Sequence, residues 1–236
     1  MPGFCSSEKA NNKNDSKEIF YVSRGGIKIE YAFRDLNLTV NNKNAVDVGA
    51  STGGFTDFLL KNGAKQIATI DVGYGILAWK LRIDPRVIVF ERTNIRYFDI
   101  KKLPFISDFT VTDVSFISIK TIFPKLLELT KNKGELLILL KPQFELKRHE
   151  VEKGGVIKNK ELHVESLKRA TGFISELELE VEGMTFSKLK GTKGNIEFWI
   201  YIIKDFVKDR LNIKKTVTNY DKIINRVVDT AYDYFD

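Results

Sequence analysis

The stretch DVGASTGGF, residues 47–55, joins a short apolar run to a helical pattern through Gly49, Gly53 and Gly54. Glycines at such a junction permit a tight turn and let a ligand approach the backbone closely. Their spacing does not match the G-x-G-x-x-G of dinucleotide-binding loops, and no G-K-[ST] of a P-loop follows, so neither hydride transfer nor nucleoside triphosphate hydrolysis is supported. A plain structural turn is the alternative reading of the loop. What favours a ligand is the next apolar run, which ends in Asp71 of TIDVGYG, a carboxylate able to accept both hydroxyls of a ribose. A third run ends in ERTNIR, offering Thr93 and Asn94 to an adenine ring, and a fourth ends in Asp113 of VTDVSF. The candidate cofactor-binding set is therefore Asp47, Gly49, Ala50, Ser51, Gly53, Gly54, Phe55, Asp71, Val72, Thr93, Asn94 and Asp113. An adenosine-containing cofactor without phosphates fits this row better than a dinucleotide does.

These residues need a frame that lines up strand ends. Short apolar runs alternate with helical patterns: AVDVG then FTDFLLKNG, QIATIDVG then ILAWKLR, VIVFERT, FTVTDVSF then IKTIFPKLLELT, and ELLILLKP. Runs that are apolar throughout suit strands covered on both faces of a parallel sheet. The amphipathic HVESLKRATGFISEL is followed by ELEVEGMTF and NIEFWIYIIK, which read as a closing strand pair. The expected fold is thus a Rossmann-like α/β doubly wound sheet, mostly parallel with a closing antiparallel strand. One run ends oddly: ELLILL stops at Lys141 and Pro142, so an ammonium stands at the tip of an apolar strand, where the carboxyl edge of an α/β sheet binds ligands.

Composition limits the classes of function. A chain of 236 residues, 43% hydrophobic, fills one sizeable core; 38 Lys and Arg against 31 Asp and Glu give a net charge of +7, which favours a polyanionic partner. The longest apolar runs fall far short of the about 18–20 residues that span a bilayer, and MPGFCSSEKANNKNDSKE lacks the apolar segment of a signal peptide. Cys5 is the single cysteine, excluding an intramolecular disulfide, and with only His149 and His163 a Cys/His metal site is hard to assemble, so no metal is expected. A cytoplasmic location is expected. Residues 1–19 read as a disordered tail or linker remnant, 20–204 as the folded domain, and 205–236 as an extension whose Ile223, Ile224, Val227, Val228, Ala231 and Tyr232 have helical spacing.

The segments YVSRGGIKIEYAF, VDVGASTGGFTDFLL, IDVGYGILAWKLR, DPRVIVFERTNIR, TDVSFISI, LLKPQFE and GNIEFW, in this order, resemble those of the TlyA family, the haemolysin A-type, FtsJ-like ribosomal RNA methyltransferases. The resemblance implies a class I S-adenosylmethionine-dependent methyltransferase acting on ribose 2′-hydroxyls of 16S or 23S RNA, with cytidine the expected nucleoside and ribosomal subunits the partners. It also implies a catalytic tetrad of Lys28, Asp113, Lys141 and Glu197. The family's small S4-type RNA-binding domain would precede YVSRGG, where this sequence has some 20 polar residues. That departure bears on substrate binding rather than on the catalytic fold.

The chemistry explains why such residues are wanted. A ribose hydroxyl is a weak nucleophile at neutral pH, so its proton must be removed or the forming oxyanion stabilised. A lysine held on a rigid, partly desolvated edge beside a second cation can do either, with carboxylates to orient the pair. Each residue also has a duller reading: Asp113 as a helix cap, Glu197 turned to solvent by strand alternation, Lys28 as a solvated charge of a glycine-rich basic loop, Lys141 snorkelling from a strand end. Arg24, Arg82, Arg92 and Arg148 are the candidate RNA-phosphate contacts, with Arg86, Arg96, Lys147 and Lys153 near them. Two rival functions are a membrane-active cytolysin, after the family's name, and a catalytically silent RNA-binding module. Sequence alone does not specify the oligomeric state.

Overall fold

The computed structural model describes residues 20–205 and 219–236. The expected tail at 1–19 lies outside the described residues, as does most of the segment joining the sheet to the last helix. Seven strands form one sheet: β1 (Asn44–Val48), β2 (Gln66–Ile70), β3 (Val87–Phe90), β4 (Ser107–Thr112), β5 (Thr130–Leu140), β6 (Val181–Phe186) and β7 (Phe198–Ile203). Their order is β3-β2-β1-β4-β5-β7-β6. The first five run parallel, whereas β7 inserts antiparallel between β5 and β6. The arrangement is a doubly wound, mostly parallel sheet with an antiparallel closing strand.

Side-chain alternation sorts the apolar runs onto two faces. Leu136, Ile138 and Leu140 of β5 join Val46, Val48, Phe198, Ile200 and Ile202 under helices α4 (Ile119–Leu129), α6 (Lys160–Glu176) and α7 (Asp221–Phe235). Leu137, Leu139, Ala45, Ile67, Phe109, Val111 and Trp199 pack on the other face against α1 (Gly25–Asp35) and α2 (Gly54–Lys61). A continuous leucine-isoleucine run is therefore what β5 needs, since both of its faces are buried. Helix α7 returns to the sheet through Ile224, Val227, Val228 and Ala231, all buried, and Tyr232 Oη donates to Lys158 O at 2.9 Å. Two short helices complete the fold around the carboxyl edge: α3 (Trp79–Arg82) and α5 (Pro142–Glu145).

Strand direction decides which residues meet at that edge. Val48 pairs with both Ile70 and Thr112, so the residues that follow, Gly49, Asp71 and Asp113, stand level with one another. Leu140 pairs with Phe198, so Lys141, leaving β5, sits beside Glu197, which enters β7. Had β7 been parallel, Glu197 would lie at the opposite edge of the sheet.

Candidate active site

Close packing around the glycine loop assembles the site. Gly49 has φ +83°, and a Cβ there would meet the Asp113 carbonyl oxygen. Gly54 opens α2 where the start of α1 crosses it; a Cβ would meet Ser23 Oγ and lie 2.9 Å from the Gly26 nitrogen. These glycines thus permit protein to approach protein, where the sequence suggested ligand approaching backbone. Their effect is to draw Asp113 and the first turn of α1 up to the loop. The segment ahead of α1 is fastened to α2 by Val22 N–H donating to Asp57 Oδ2 at 2.8 Å, with Lys80 Nζ 3.0 Å from the same oxygen.

Lys28 lies on helix α1, not in a loop, and is 5% exposed. The helical spacing of Gly26, Ile29, Ala32 and Phe33 buries this face of α1 and carries Lys28 inward with it. Its Nζ donates to Glu197 Oε2 at 2.5 Å, and Glu197 is 3% exposed. The solvent-facing reading of Glu197 fails because Glu197 precedes β7 and the strand is covered on both sides. On the facing side, Lys141 Nζ lies 2.5 Å from Asp113 Oδ1 and donates to Ser115 Oγ at 2.9 Å. Asp113 does not cap α4: that position belongs to Ser118, whose Oγ accepts from Lys120 N. Pro142 ends the strand as expected and takes the first position of α5, where its missing N–H costs nothing.

The two lysine-carboxylate pairs border one cavity of about 250 Å³, lined also by Arg24, Gly49, Ala50, Ser51, Gly54 and Phe55. Lys141, Glu197 and Thr192 line in addition a neighbouring cleft of about 1020 Å³, with Phe116, Phe144, Arg148 and Lys153 on its walls. Phe116 is 87% exposed and its ring stands 5.3 Å from that of Phe144. Lys141 and Glu197 therefore occupy the junction of a small cavity and a large one.

The remaining sequence candidates divide. Asp71 is oriented by Ser51 N–H on Oδ2 at 2.8 Å and by Gly73 N–H on Oδ1 at 2.7 Å, which leaves lone pairs on both oxygens for ribose hydroxyls. Val72 is exposed beside it. Thr93 donates to Glu91 O, and Asn94 Oδ1 accepts from Arg96 N, so both side chains shape their own turn. Phe55 is packed on Trp199 at 5.5 Å between ring centres and forms floor rather than contact surface. Gly53 is the left-handed residue ahead of α2.

Asp47 must be withdrawn from the cofactor set. It is fully buried beneath the loop, with Oδ2 accepting from both N–H and Oγ–H of Thr56. Burial, against the opposing Thr56 hydrogen bonds, pushes its carboxyl up to about 7. Arg82 is tied to Glu91 through both terminal nitrogens, at 3.2 and 2.5 Å, so its charge is already matched by a carboxylate. Arg24 donates to Thr192 Oγ1 at 3.0 Å across the cavity rim, Arg92 stacks on Tyr74 at 4.1 Å, and Arg148 is exposed on the cleft wall.

Sequence reasoning passed over Ser115, Phe116, Phe144, Glu145 and Asn195. Asn195, 2% exposed, accepts from Ile157 N–H at 2.8 Å and donates to Gly155 O at 2.7 Å, pinning a cleft loop two residues from Glu197. Glu145 accepts from Ser118 and Ile119, and burial raises its carboxyl. Both stand inside quoted motifs, GNIEFW and LLKPQFE, but polarity within an apolar stretch was the only available signal.

Residues 21–204 match the model of the FtsJ-like methyltransferase family. YqxC of Bacillus subtilis (strain 168) is 45% identical over 186 residues, which is 77% of this chain and 65% of that protein, so the chain spans slightly less than two thirds of that relative. The 16S/23S rRNA (cytidine-2'-O)-methyltransferase TlyA of Mycobacterium tuberculosis (strain CDC 1551 / Oshkosh) is 39% identical over 185 residues, 78% of this chain and 69% of the relative. A solved structure from Streptococcus thermophilus, whose description carries the word hemolysin, superposes with a TM-score of 0.84 at 37% identity, covering 93% of this chain and 77% of that one.

Proposed function

The chain belongs to the FtsJ-like methyltransferase family, and from that premise we propose that it transfers a methyl group from S-adenosylmethionine to a ribose 2′-hydroxyl of ribosomal RNA, with cytidine the favoured nucleoside. The observation that carries the reading is the junction: Lys141 and Glu197 face both the small cavity beside the glycine loop and the large cleft. A donor in the first and a nucleotide in the second would meet there. The glycine loop fits the donor: the backbone of Gly49 to Ser51 lines the small cavity, and on the loop's other side Asp71, oriented for a ribose, lines a neighbouring recess that shares Ala50 and Ser51. When bound, S-adenosylmethionine supplies an electrophilic methyl group on a sulfonium whose departure leaves a neutral thioether.

The work left to the protein is proton management and alignment. Asp113 and Ser115 hold the Lys141 side chain in one place at the junction. From there, after releasing a proton of its own to solvent, the neutral amine takes up the hydroxyl proton as the oxygen–carbon bond forms and the methyl–sulfur bond breaks. Glu197 holds Lys28 in turn, keeping a second positive charge at the cavity wall, where it counters the oxyanion. Arg92, Arg148 and Arg24 are the residues proposed to meet RNA phosphates, and their effect is on affinity rather than on the chemical step.

The test is transfer of labelled methyl from S-adenosylmethionine to ribosomal subunits or 70S particles lacking the modification, followed by mapping of the labelled ribose. Label on a 2′-oxygen is expected; no transfer, or label on a base, would refute the reading. A ribosomal substrate goes with a cytoplasmic site of action. For the cytolysin alternative, no described helix is long and apolar enough to cross a membrane. Dye-loaded liposomes are expected to stay intact in the presence of the protein, and leakage would support that alternative.

A further inference from the structure

The cleft is walled by two loops, residues 113–118 after β4 and residues 141–146 after β5. Pairing between β4 and β5 does not hold them to each other, because the last mutual pair of the two strands is Thr112 with Ile138. Their inner ends meet where Lys141 contacts Asp113 and Ser115. Their outer ends meet at Glu145, whose Oε2 accepts from Ser118 Oγ–H at 2.7 Å and whose Oε1 accepts from Ile119 N–H at 2.8 Å. Between these two ties the rings of Phe116 and Phe144 lean on each other.

The short helix α5 makes the outer tie matter to the inner one. Pro142 fixes its first turn, Leu146 N–H closes on Pro142 O at 3.2 Å, and Phe144 N–H closes on Lys141 O at 2.9 Å. Lys141 and Glu145 thus stand at opposite ends of one rigid turn. At its far side the Glu145 carboxylate binds the start of α4, where the free N–H groups and the helix dipole favour a negative charge. Anchoring Glu145 there sets the orientation of the turn, and with it the direction in which the Lys141 side chain leaves the backbone.

We propose that Glu145 is a positioning residue, a latch that joins the two cleft loops and holds Lys141 against Asp113. The inference deepens the methyltransfer reading, since it assigns Glu145 a part in the reaction through Lys141, but the latch itself is testable without RNA. A small misplacement of a reacting group can cost a large factor in rate while leaving binding elsewhere intact. Glu145→Ala removes both hydrogen bonds. Glu145→Gln keeps an acceptor for Ile119 N–H and gains a donor toward Ser118 Oγ, so it retains the tie. Ser118→Ala removes one of the two bonds and leaves the other.

The direct experiment is reductive methylation with formaldehyde and a borane, scored at individual lysines by peptide mass spectrometry. Lys28, sealed against Glu197 on another part of the site, serves as internal reference. In Glu145→Ala the labelling rate of Lys141 is expected to rise about fivefold relative to Lys28, and in Glu145→Gln to stay near wild type. Single-turnover methyl transfer should fall by about 100-fold in Glu145→Ala, with cofactor affinity within about twofold of wild type, Ser118→Ala intermediate and Glu145→Gln largely restored. Unchanged Lys141 labelling in Glu145→Ala overturns the proposal. So does a parallel rise at Lys28 with a matching loss of cofactor affinity and thermal stability, which marks a mere helix cap. If wild type transfers no methyl to RNA, the functional reading falls, and the labelling contrast alone decides the latch.

Discussion

Removing either member of the Lys28–Glu197 pair should destabilise the protein strongly, whereas replacing both should not. The side chains are 6% and 4% exposed and the charged atoms are 2.5 Å apart. Each ion has lost most of its hydration, and what compensates is its partner. Glu197→Ala leaves a buried ammonium and Lys28→Ala a buried carboxylate, each expected to cost about 3–5 kcal/mol. For a domain of this size that corresponds to a drop in Tm of roughly 6–20 °C. A double replacement by apolar residues of similar length, Lys28→Met with Glu197→Leu, removes both desolvation penalties together and should fall well short of the sum of the single losses. Urea unfolding of the four proteins, followed by the fluorescence of buried Trp199, gives the coupling energy directly. A coupling of about 2 kcal/mol or more is expected. Single variants that each lose less than about 1 kcal/mol, as exposed pairs do, would refute the argument from burial.

Lys141→Ala and Lys141→Arg should both abolish methyl transfer with cofactor binding retained, because arginine keeps its proton; full activity of Lys141→Arg would assign the position a purely electrostatic role. Asp71→Asn should weaken S-adenosylmethionine binding by about 10-fold or more, the loss of a charge-assisted acceptor, and calorimetry showing equal affinities would disprove the ribose assignment. Asp47 titrates near 7 when folded and in the ordinary carboxylate range when unfolded, so the unfolded state alone releases its proton as pH rises and stability is lost from about pH 4 to 7. Asp47→Asn should remove that loss, on the order of 4 kcal/mol across the window; parallel pH profiles of urea stability for the two proteins would contradict it. Arg148→Ala should lower the slope of log RNA affinity against log salt by about one unit, and an unchanged slope would take Arg148 out of the RNA contact.

What could be read in advance follows the range of each interaction. Apolar runs and their spacing report local burial, so β1 to β5, the closing pair β6 and β7, and the end of β5 at Pro142 were legible. Asp71 and Asp113 were legible as strand ends for the same reason. Lys28 was misread as a loop residue because Gly25 and Gly26 obscure a helical spacing that Gly26, Ile29, Ala32 and Phe33 in fact keep. Strand alternation misjudged Glu197 because Phe198, Trp199 and Ile200 are all buried, as happens when a strand is sandwiched on both faces. Asp47 shares the glycine-loop motif with Gly49 and Ser51, and only the Thr56 hydroxyl beneath it reveals an internal role. Arg82 and Glu91, or Glu145 and Ser118, lie on different elements, and no spacing rule announces that they meet.

The antiparallel β7 brings Glu197 to Lys28 from far along the chain. The counter-charge of Lys28 is made 169 positions after it, so the cavity wall stays incomplete while the intervening residues are synthesised. At about 5–20 residues per second, that interval of synthesis lasts roughly 8–34 s. During that interval helix α1 carries a cation whose burial would leave it without its counter-charge, at the full desolvation cost. A nascent chain therefore gains the complete lysine-carboxylate constellation only once β7 has been made, and a messenger cut short before β7 yields a polypeptide with the glycine loop but without Glu197.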